Sequence, residues 1–171
     1  MSAERTQVTM KGEPITLIGS PVEIGSEAPD FIVFDQDLSA VPYSSINGAP
    51  CVISSVVSLD TPVCDEQARR FNEEAVSLSE DLNIYVISMD LPFAQQRWCG
   101  AAGVDRVQTF SDYRDASFGT SYGVLIKDLR LLARAVFVID ADSIVRYKEV
   151  VSEVTDHPDY EKLFDAVRSV V

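Results

Sequence analysis

The stretch that decides the fold is "CVISSVVSLDTPVCDEQ", residues 51–67. Residues 51–57 are rich in β-branched side chains with little polar alternation, which is typical of a strand covered on both faces. Thr61 and Pro62 then favour a helix start, because threonine is a good N-cap and proline suits the first helical position. We therefore predict a buried central strand that leads into a helix, with Cys64 as the third helical residue.

The segments downstream continue an α/β pattern. Apolar residues recur at alternating spacings of three and four from Ala68 to Leu82, which indicates one face of a helix. "IYVISM" predicts a second buried strand, and "DLPFAQQRWC" a second helix with Asp90 as its cap. The remaining predictions are a strand at "VQTF", a brief helix in "ASFGTSYGV", a hairpin from "ARAVFVID" and "SIVRYKEV", and a terminal helix that His157 caps or precedes.

The N-terminal stretch has turn signals around the apolar pieces "ITLIG" and "VEI", which predicts a β-hairpin within about residues 1–28. With 171 residues, 46% of them hydrophobic and 24% charged, the chain has the composition of one globular domain spanning 1–171. Together these elements predict a mixed α/β sandwich.

Charge and composition exclude several function classes. The formal net charge of -13 opposes nucleic acid and anionic membrane as partners, because few basic side chains are available to neutralise phosphates. The first residues contain no apolar core typical of a secretory signal, and no apolar run approaches the roughly 20 residues that span a bilayer. We expect a cytoplasmic protein.

Cys64 is the candidate reactive residue. At the start of a helix, unpaired N–H groups and the helix dipole stabilise a thiolate relative to a thiol, and the thiolate is the nucleophile. The alternative is a small apolar residue that is simply buried, since free cysteine is among the most buried residue types. The spacing alone leaves both interpretations open.

The number and spacing of the cysteines limit the possible functions of Cys64. The chain has three cysteines and no C-x-x-C pair, which disfavours a thioredoxin-type disulfide reductase. A zinc site needs about four closely spaced ligands, and these three cysteines with His157 do not supply them. The remaining functional hypothesis is a reactive Cys64 with a distant partner, for which Cys99 is the candidate. Cys51 opens the central strand and is predicted to be a core residue.

Three segments in order carry a resemblance to a known family. "SLDTPVC" resembles the T-x-x-C motif of peroxiredoxins, and "DLPFAQQRWC" with "ARAVFVID" is similar to the thiol peroxidase subfamily, the atypical 2-Cys peroxiredoxins. The likeness covers most of the chain. It implies a thioredoxin-like fold, a homodimer and an antioxidant peroxidase that needs no metal, haem or flavin.

The resemblance also implies roles for single residues. Cys64 would be the peroxidatic cysteine, Thr61 the hydroxyl that orients the peroxide, and Arg134 the guanidinium that stabilises thiolate and transition state. Cys99 would attack the Cys64 sulfenic acid to form a disulfide, which a thioredoxin-like reductant would reduce. We expect both helices to unwind locally for this step. Without the resemblance, Arg134 would be interpreted as a surface residue at a strand end.

One position departs from the family pattern P-x-x-x-T-x-x-C, because Val57 stands seven residues before Cys64 where the proline is expected. We expect this departure to affect the rate of Cys64 oxidation and the hydroperoxide that is preferred. Two other functions use the same fold: a peroxide sensor or redox relay with the same thiols, and a non-catalytic binding module. The Cys99 segment argues against the binding module, and turnover with a reductant distinguishes the relay.

Overall fold

The computed structural model describes residues 3–171, apart from the side chains of Ala3, Thr6, Ala75 and Val76. The strands are β1 (Ala3–Met10), β2 (Glu13–Gly19), β3 (Ile32–Phe34), β4 (Ala40–Pro42), β5 (Cys51–Ser55), β6 (Asn83–Ser88), β7 (Val107–Ser111), β8 (Leu125–Ile126), β9 (Ala135–Ile139) and β10 (Val145–Val150). The helices are α1 (Pro62–Leu78), α2 (Pro92–Ala102), α3 (Ser117–Ser121) and α4 (Tyr160–Arg168), with a 3₁₀ turn at Tyr43–Ser45.

A seven-stranded mixed sheet forms the centre, in the order β10-β9-β5-β6-β7-β3-β4. Strands β5, β6 and β7 are parallel, and β9 runs antiparallel to β5. Every residue of β5 and of β9 is buried, as the β-branched composition predicts. The predicted central strand and the thioredoxin-like α/β fold are confirmed.

Side chains alternate between the two faces of this sheet and form two apolar cores. Val52 and Val86 face a core shared with α1, α2 and α4. Ile53 and Ile87 face a second core, which is covered by the N-terminal strands and α3. This alternation places the helices that carry Cys64 and Cys99 on one side of the sheet.

The N-terminal hairpin differs in extent from its prediction. It consists of β1 and β2, joined by a two-residue turn in which Lys11 and Gly12 both have positive φ, 51° and 82°. Such a turn matches the twist of a hairpin. "ITLIG" lies in β2 as predicted, but "VEI" at 22–24 forms no strand, and β8 pairs with β2 instead. Residues 1 and 2 of the predicted hairpin lie outside the described residues.

The helix ends correct one prediction. Helix α2 is preceded by Leu91 in an extended conformation, so Asp90 is not its N-cap. Helix α4 is capped by Asp159, whose carboxylate accepts from the Lys162 N–H, and His157 precedes this cap. Over the described part of the chain, no helix has both the length and the apolarity that crossing a membrane requires. The single domain over 1–171 stays a prediction.

Candidate active site

Cys64 lies at the start of α1, as predicted. The helix begins at Pro62, and the Thr61 carbonyl accepts the N–H of Asp65, so Cys64 is the third helical residue. Its side chain is fully buried. The segment 56–61 joins it to the end of β5, which places the sulfur at the carboxyl end of a central parallel strand.

Arg134 supplies the charge that faces this sulfur. Its Nη2 donates to Cys64 Sγ at 3.1 Å, its Nη1 to Gln67 Oε1 at 2.8 Å, and its Nε to the Val154 carbonyl at 2.9 Å. The residue is only 2% exposed, so the interpretation as a surface arginine is wrong. Because β9 pairs with β5, with Ala135 opposite Ser55, Arg134 lies beside the end of the strand that leads to Cys64.

Gln67 holds Arg134 and was not predicted. It is fully buried, accepts from the guanidinium, and donates from Nε2 to Ser54 Oγ at 2.5 Å. Two polar side chains from β5 and α1 therefore fix the orientation of the arginine. The available signal was its position three residues after Cys64, because residues three apart share one face of a helix.

Thr61 lies at the predicted position but makes a different hydrogen bond from the expected one. Its hydroxyl donates to the Ser58 carbonyl at 2.8 Å rather than serving the Cys64 sulfur. A hydroxyl that donates once keeps its oxygen lone pairs as acceptors. The Thr61 oxygen is thus able to accept a hydrogen bond from a molecule that enters the neighbouring cavity.

This cavity has a volume of about 280 Å³ and is predominantly apolar. It joins residues from the hairpin tip, the loop before α1 and the segment after β10: Met10, Lys11, Val57, Thr61, Pro62, Val63, Arg134, Val154 and Thr155. Val57, the position that departs from the family pattern, contributes to its wall. Arg134 lines the cavity and contacts the buried Cys64 sulfur, so the cavity ends one side chain away from that sulfur.

Glu153 ties the hairpin tip to the wall of the cavity. Its carboxylate accepts from Thr9 Oγ1 at 3.0 Å, from the Gly12 N–H at 2.8 Å and from both the N–H and the hydroxyl of Thr155. These donors, the backbone N–H groups first, lower the pKa of Glu153 to about 2. The carbonyl of the next residue, Val154, accepts a hydrogen bond from Arg134. The segment 153–154 therefore contacts both the hairpin tip and the arginine.

Asp90 supports the loop before α1 instead of capping α2. Its Oδ1 accepts from Ser58 Oγ at 2.7 Å, and its Oδ2 from the Leu59 N–H at 2.9 Å and from Ser88 Oγ at 2.7 Å. The carboxylate therefore joins the ends of β5 and β6. A residue one position from a helix start is easily taken for a cap. Two of the partners of Asp90, Ser58 and Leu59, lie 32 and 31 residues away in sequence.

Cys99 lies near the end of α2 in a different environment. It is half-buried, and its Sγ is 3.5 Å from Thr109 Oγ1 and 3.6 Å from Gln36 Nε2. It borders an open cavity of about 400 Å³. The structure thus brings Cys64, Arg134 and Thr61 into one site, whereas the Cys99 sulfur has separate partners and both cysteines are free thiols.

Cys51 is a core residue, as predicted. It is 1% exposed, and burial raises the pKa of its thiol to about 12. The thiol therefore stays protonated and unreactive at neutral pH.

Comparisons with known proteins identify the family of the chain. The Redoxin family pattern matches residues 23–164. The chain is 53% identical over 165 residues to the protein named Thiol peroxidase of Bacillus subtilis strain 168, covering 96% of this chain and 98% of that protein. The chain belongs to the thiol peroxidase family. This membership makes it a peroxidase, an oxidoreductase of the peroxiredoxin class with a thioredoxin fold.

Solved structures support the membership. A peroxiredoxin-like protein from Aquifex aeolicus superposes with a TM-score of 0.88 at 36% identity, covering 98% of this chain and 99% of that chain. The thiol peroxidase from Chromobacterium violaceum superposes with a TM-score of 0.85 at 22% identity, covering 95% of both chains, which shows the shared fold. The fold of this family member is therefore seen across distant sequences.

Proposed function

We propose that this family member reduces hydrogen peroxide and organic hydroperoxides through Cys64. The observation that carries the proposal is the 3.1 Å contact from Arg134 Nη2 to Cys64 Sγ at the end of the apolar cavity. A buried guanidinium beside a sulfur favours the thiolate, which is the nucleophile. Peroxidase activity implies a peroxide substrate and a thiol reductant.

In the first step, the Cys64 thiolate attacks the terminal oxygen of the hydroperoxide. An S–O bond forms, the O–O bond breaks, and the leaving alkoxide takes a proton, which gives a Cys64 sulfenic acid and an alcohol or water. Negative charge moves onto the leaving oxygen, where the preorganised donors of Arg134 stabilise it. The Thr61 oxygen accepts a hydrogen bond from the hydroperoxide and orients it.

In the second step, Cys99 resolves the sulfenic acid as an intramolecular disulfide. Gln36 and Thr109 hold its sulfur in a cavity open to solvent, so Cys99 is more accessible than Cys64 or Cys51. A thioredoxin-like dithiol then reduces the disulfide. We infer that the enzyme works in the cytoplasm, because a cycle that consumes reducing equivalents needs a reducing compartment.

The test is hydroperoxide consumption with thioredoxin and its reductase, compared between wild type, Cys64→Ser and Cys99→Ser, with Cys51→Ala as the matched control. Cys64→Ser should lose turnover, Cys99→Ser should oxidise once without efficient recycling, and Cys51→Ala should stay close to wild type. Full activity of Cys64→Ser would refute the assignment. Thioredoxin-supported turnover by Cys99→Ser at the wild-type rate would refute only the resolving role. Oxidation of wild type without turnover would favour the relay.

A further inference from the structure

The residues next to the two site cysteines are hydrogen-bonded to each other. Asp65 follows Cys64 in α1, and Trp98 precedes Cys99 in α2. Trp98 Nε1 donates to Asp65 Oδ1 at 2.6 Å, and Trp98 is 8% exposed. This contact is part-buried, and a hydrogen bond to a charged acceptor is stronger than one between neutral groups. This contact directly connects the two helices that carry the sulfurs.

Arg69 strengthens the same contact. Its Nε donates to Asp65 Oδ2 at 2.9 Å, its Nη1 reaches the Ala102 carbonyl at 3.3 Å near the end of α2, and its guanidinium lies 5.9 Å from the centre of the Trp98 ring. Asp65 thus receives donors on both carboxylate oxygens. We name the contacts of Asp65, Arg69 and Trp98 the α1–α2 latch.

The latch is incompatible with the resolving step. Cys64 Sγ faces Arg134, whereas Cys99 Sγ faces Thr109 and Gln36. A disulfide needs an S–S distance of about 2 Å, with Cα atoms within about 7 Å. Since each cysteine is covalently joined to a latch residue, we expect the local unwinding that brings the sulfurs together to pull Trp98 away from Asp65.

We propose that Asp65 and Trp98 are positioning residues that set the rate of disulfide formation by holding the closed arrangement. The proposal rests on the proposed resolving role of Cys99. In this step the Cys99 sulfur attacks the Cys64 sulfur; an S–S bond forms and the S–O bond breaks. The leaving hydroxide combines with the Cys99 proton as water.

The closed arrangement also sets the outcome of a competing reaction. While the latch is closed, a second hydroperoxide can oxidise the sulfenic acid to a sulfinic acid, with release of an alcohol or water. A tighter latch therefore favours sulfinic acid at high peroxide, and a weaker latch favours the disulfide. The latch would determine how much peroxide the enzyme tolerates.

The variant that tests this is Trp98→Phe, which keeps an aromatic ring but removes the Nε1–H donor. The matched control is Tyr160→Phe, which removes the hydroxyl that contacts His157 while its ring still packs on α1. Each reduced protein is mixed with one equivalent of hydroperoxide, and in a second series with excess hydroperoxide, and quenched over time. Intact-mass analysis, with dimedone trapping, measures sulfenic acid, disulfide and sulfinic acid.

We expect Trp98→Phe to form the Cys64–Cys99 disulfide about tenfold faster than wild type. Oxidation of Cys64 should keep its wild-type rate, and the sulfinic fraction at excess peroxide should fall. Tyr160→Phe should match wild type in all three. A role limited to global stability would not accelerate one chemical step, so unchanged or slower disulfide formation in Trp98→Phe would overturn the proposal.

Asp65→Ala tests the latch from the acceptor side and keeps Trp98 as the only tryptophan, so its emission reports on the local environment. We expect at least the same acceleration, because Asp65→Ala also removes the Arg69 contact, and the double variant Trp98→Phe with Asp65→Ala should be no faster than Asp65→Ala alone, because the Trp98 hydrogen bond is already absent there. Additive effects would overturn the latch, and the Asp65→Ala result decides the matter if Trp98→Phe fails to fold.

Failure of the proposed function gives a different result. If peptide mapping finds no Cys64–Cys99 disulfide in oxidised wild type, the resolving role of Cys99 is wrong, and the proposed role of the latch is wrong as well. If wild type forms this disulfide and the latch variants do not accelerate it, the latch alone is wrong.

Discussion

Arg134 makes three hydrogen bonds from three different nitrogens, to Cys64, Gln67 and Val154. A planar guanidinium suits this arrangement because its donors point in fixed directions, whereas a lysine ammonium is a single charged point on a flexible stem. The site therefore needs the shape of arginine as well as its charge.

We predict that Arg134→Lys lowers the second-order rate of Cys64 oxidation by roughly a hundredfold, because one preorganised donor at the developing charge is lost. The measurement is stopped-flow fluorescence of Trp98 against hydroperoxide concentration. Arg130→Lys, at an exposed loop position, is the matched control and should keep the wild-type rate. A rate within twofold of wild type for Arg134→Lys would contradict the role given to the guanidinium.

Val57 lines the substrate cavity where the family pattern has proline. Within residues 3–171 the structure gives the Val57 N–H no hydrogen-bond acceptor, so proline would remove no such bond there. We predict that Val57→Pro raises the free energy of unfolding by about 0.5 kcal/mol, because proline restricts the unfolded chain. It should also raise the oxidation rate by fixing the loop before Thr61.

Urea unfolding and oxidation rates with hydrogen peroxide and a bulky alkyl hydroperoxide check this prediction. Val63→Ile, another change in the cavity wall, separates an effect of the backbone from one of side-chain volume. Unchanged rates with both hydroperoxides would mean that valine in place of proline at position 57 does not affect the oxidation of Cys64.

Among the elements, the short helix α3 is organised by a buried carboxylate. Asp112 is 1% exposed and accepts the N–H groups of Phe118 at 3.0 Å and Gly119 at 2.8 Å. Burial raises the pKa of Asp112 to about 6, and the backbone hydrogen bonds only partly oppose this shift. The carboxyl group thus titrates close to neutral pH in the folded protein.

This shift predicts a pH-dependent stability. Because the folded pKa is raised, the contribution of Asp112 is present at pH values below the unfolded pKa of about 4 and is lost as the pH rises through about 6. We expect this group to lower the free energy of unfolding by about 2 kcal/mol between pH 4 and pH 7. Asp112→Asn should remove that slope in urea unfolding series, and the exposed Asp128→Asn should keep it. An equal slope in Asp112→Asn would contradict the assignment.

Elements could be predicted from the sequence where burial gives them a pattern. Strands β5, β6 and β9 and helix α1 were predictable because apolar periodicity reports which face is covered. Strand β1, "AERTQVTM", was missed because most of its residues are polar and β-pairing with β2 defines it. "VEI" has two apolar residues yet forms no strand: the chain turns at residues 24–25, and only the Gly25 N–H and the Ser26 carbonyl bond to Val145 in β10.

The site was predictable only in part, because a local sequence pattern shows helix starts and burial but not contacts between distant segments. The position of Cys64 follows from local helix-start signals, but Arg134 was assigned only through the resemblance to peroxiredoxins. Gln67, Asp90 and Trp98 were not given their present roles, because their partners lie far along the chain in sequence or on another element. Spacing within one segment does not show which segments meet in space.

At the scale of the whole molecule, the exposed apolar side chains at the start of α2 are the feature to explain. Leu91 is 51% exposed and Phe93 is 62% exposed, beside the Asp90 that supports the loop before Cys64. The resemblance implies a homodimer with the active-site face near the interface. We propose that these two side chains contribute to that interface.

We predict that sedimentation velocity gives about twice the chain mass of 18.8 kDa, and that Phe93→Glu shifts the protein toward the monomer. A buried, unpaired charge at an interface is strongly unfavourable, which is the reason for the expected shift. Leu129→Glu, at a side chain that is 47% exposed elsewhere, is the control and should stay dimeric. A monomeric wild type would contradict the proposed dimer, and a dimeric Phe93→Glu would contradict the proposed surface.

The complete burial of Cys64 has a consequence for the direction in which oxidising equivalents travel. The cavity of about 280 Å³ beside Arg134 has room for a molecule of peroxide size, whereas a fully buried sulfur is out of reach of the thiol of another folded protein. We therefore expect the proposed cycle to receive oxidation from a small molecule and to pass it to a protein only after the helix ends have opened. In that cycle the fold would keep the sulfenic acid away from the thiols of other proteins, and the disulfide would be the form that a protein reductant contacts.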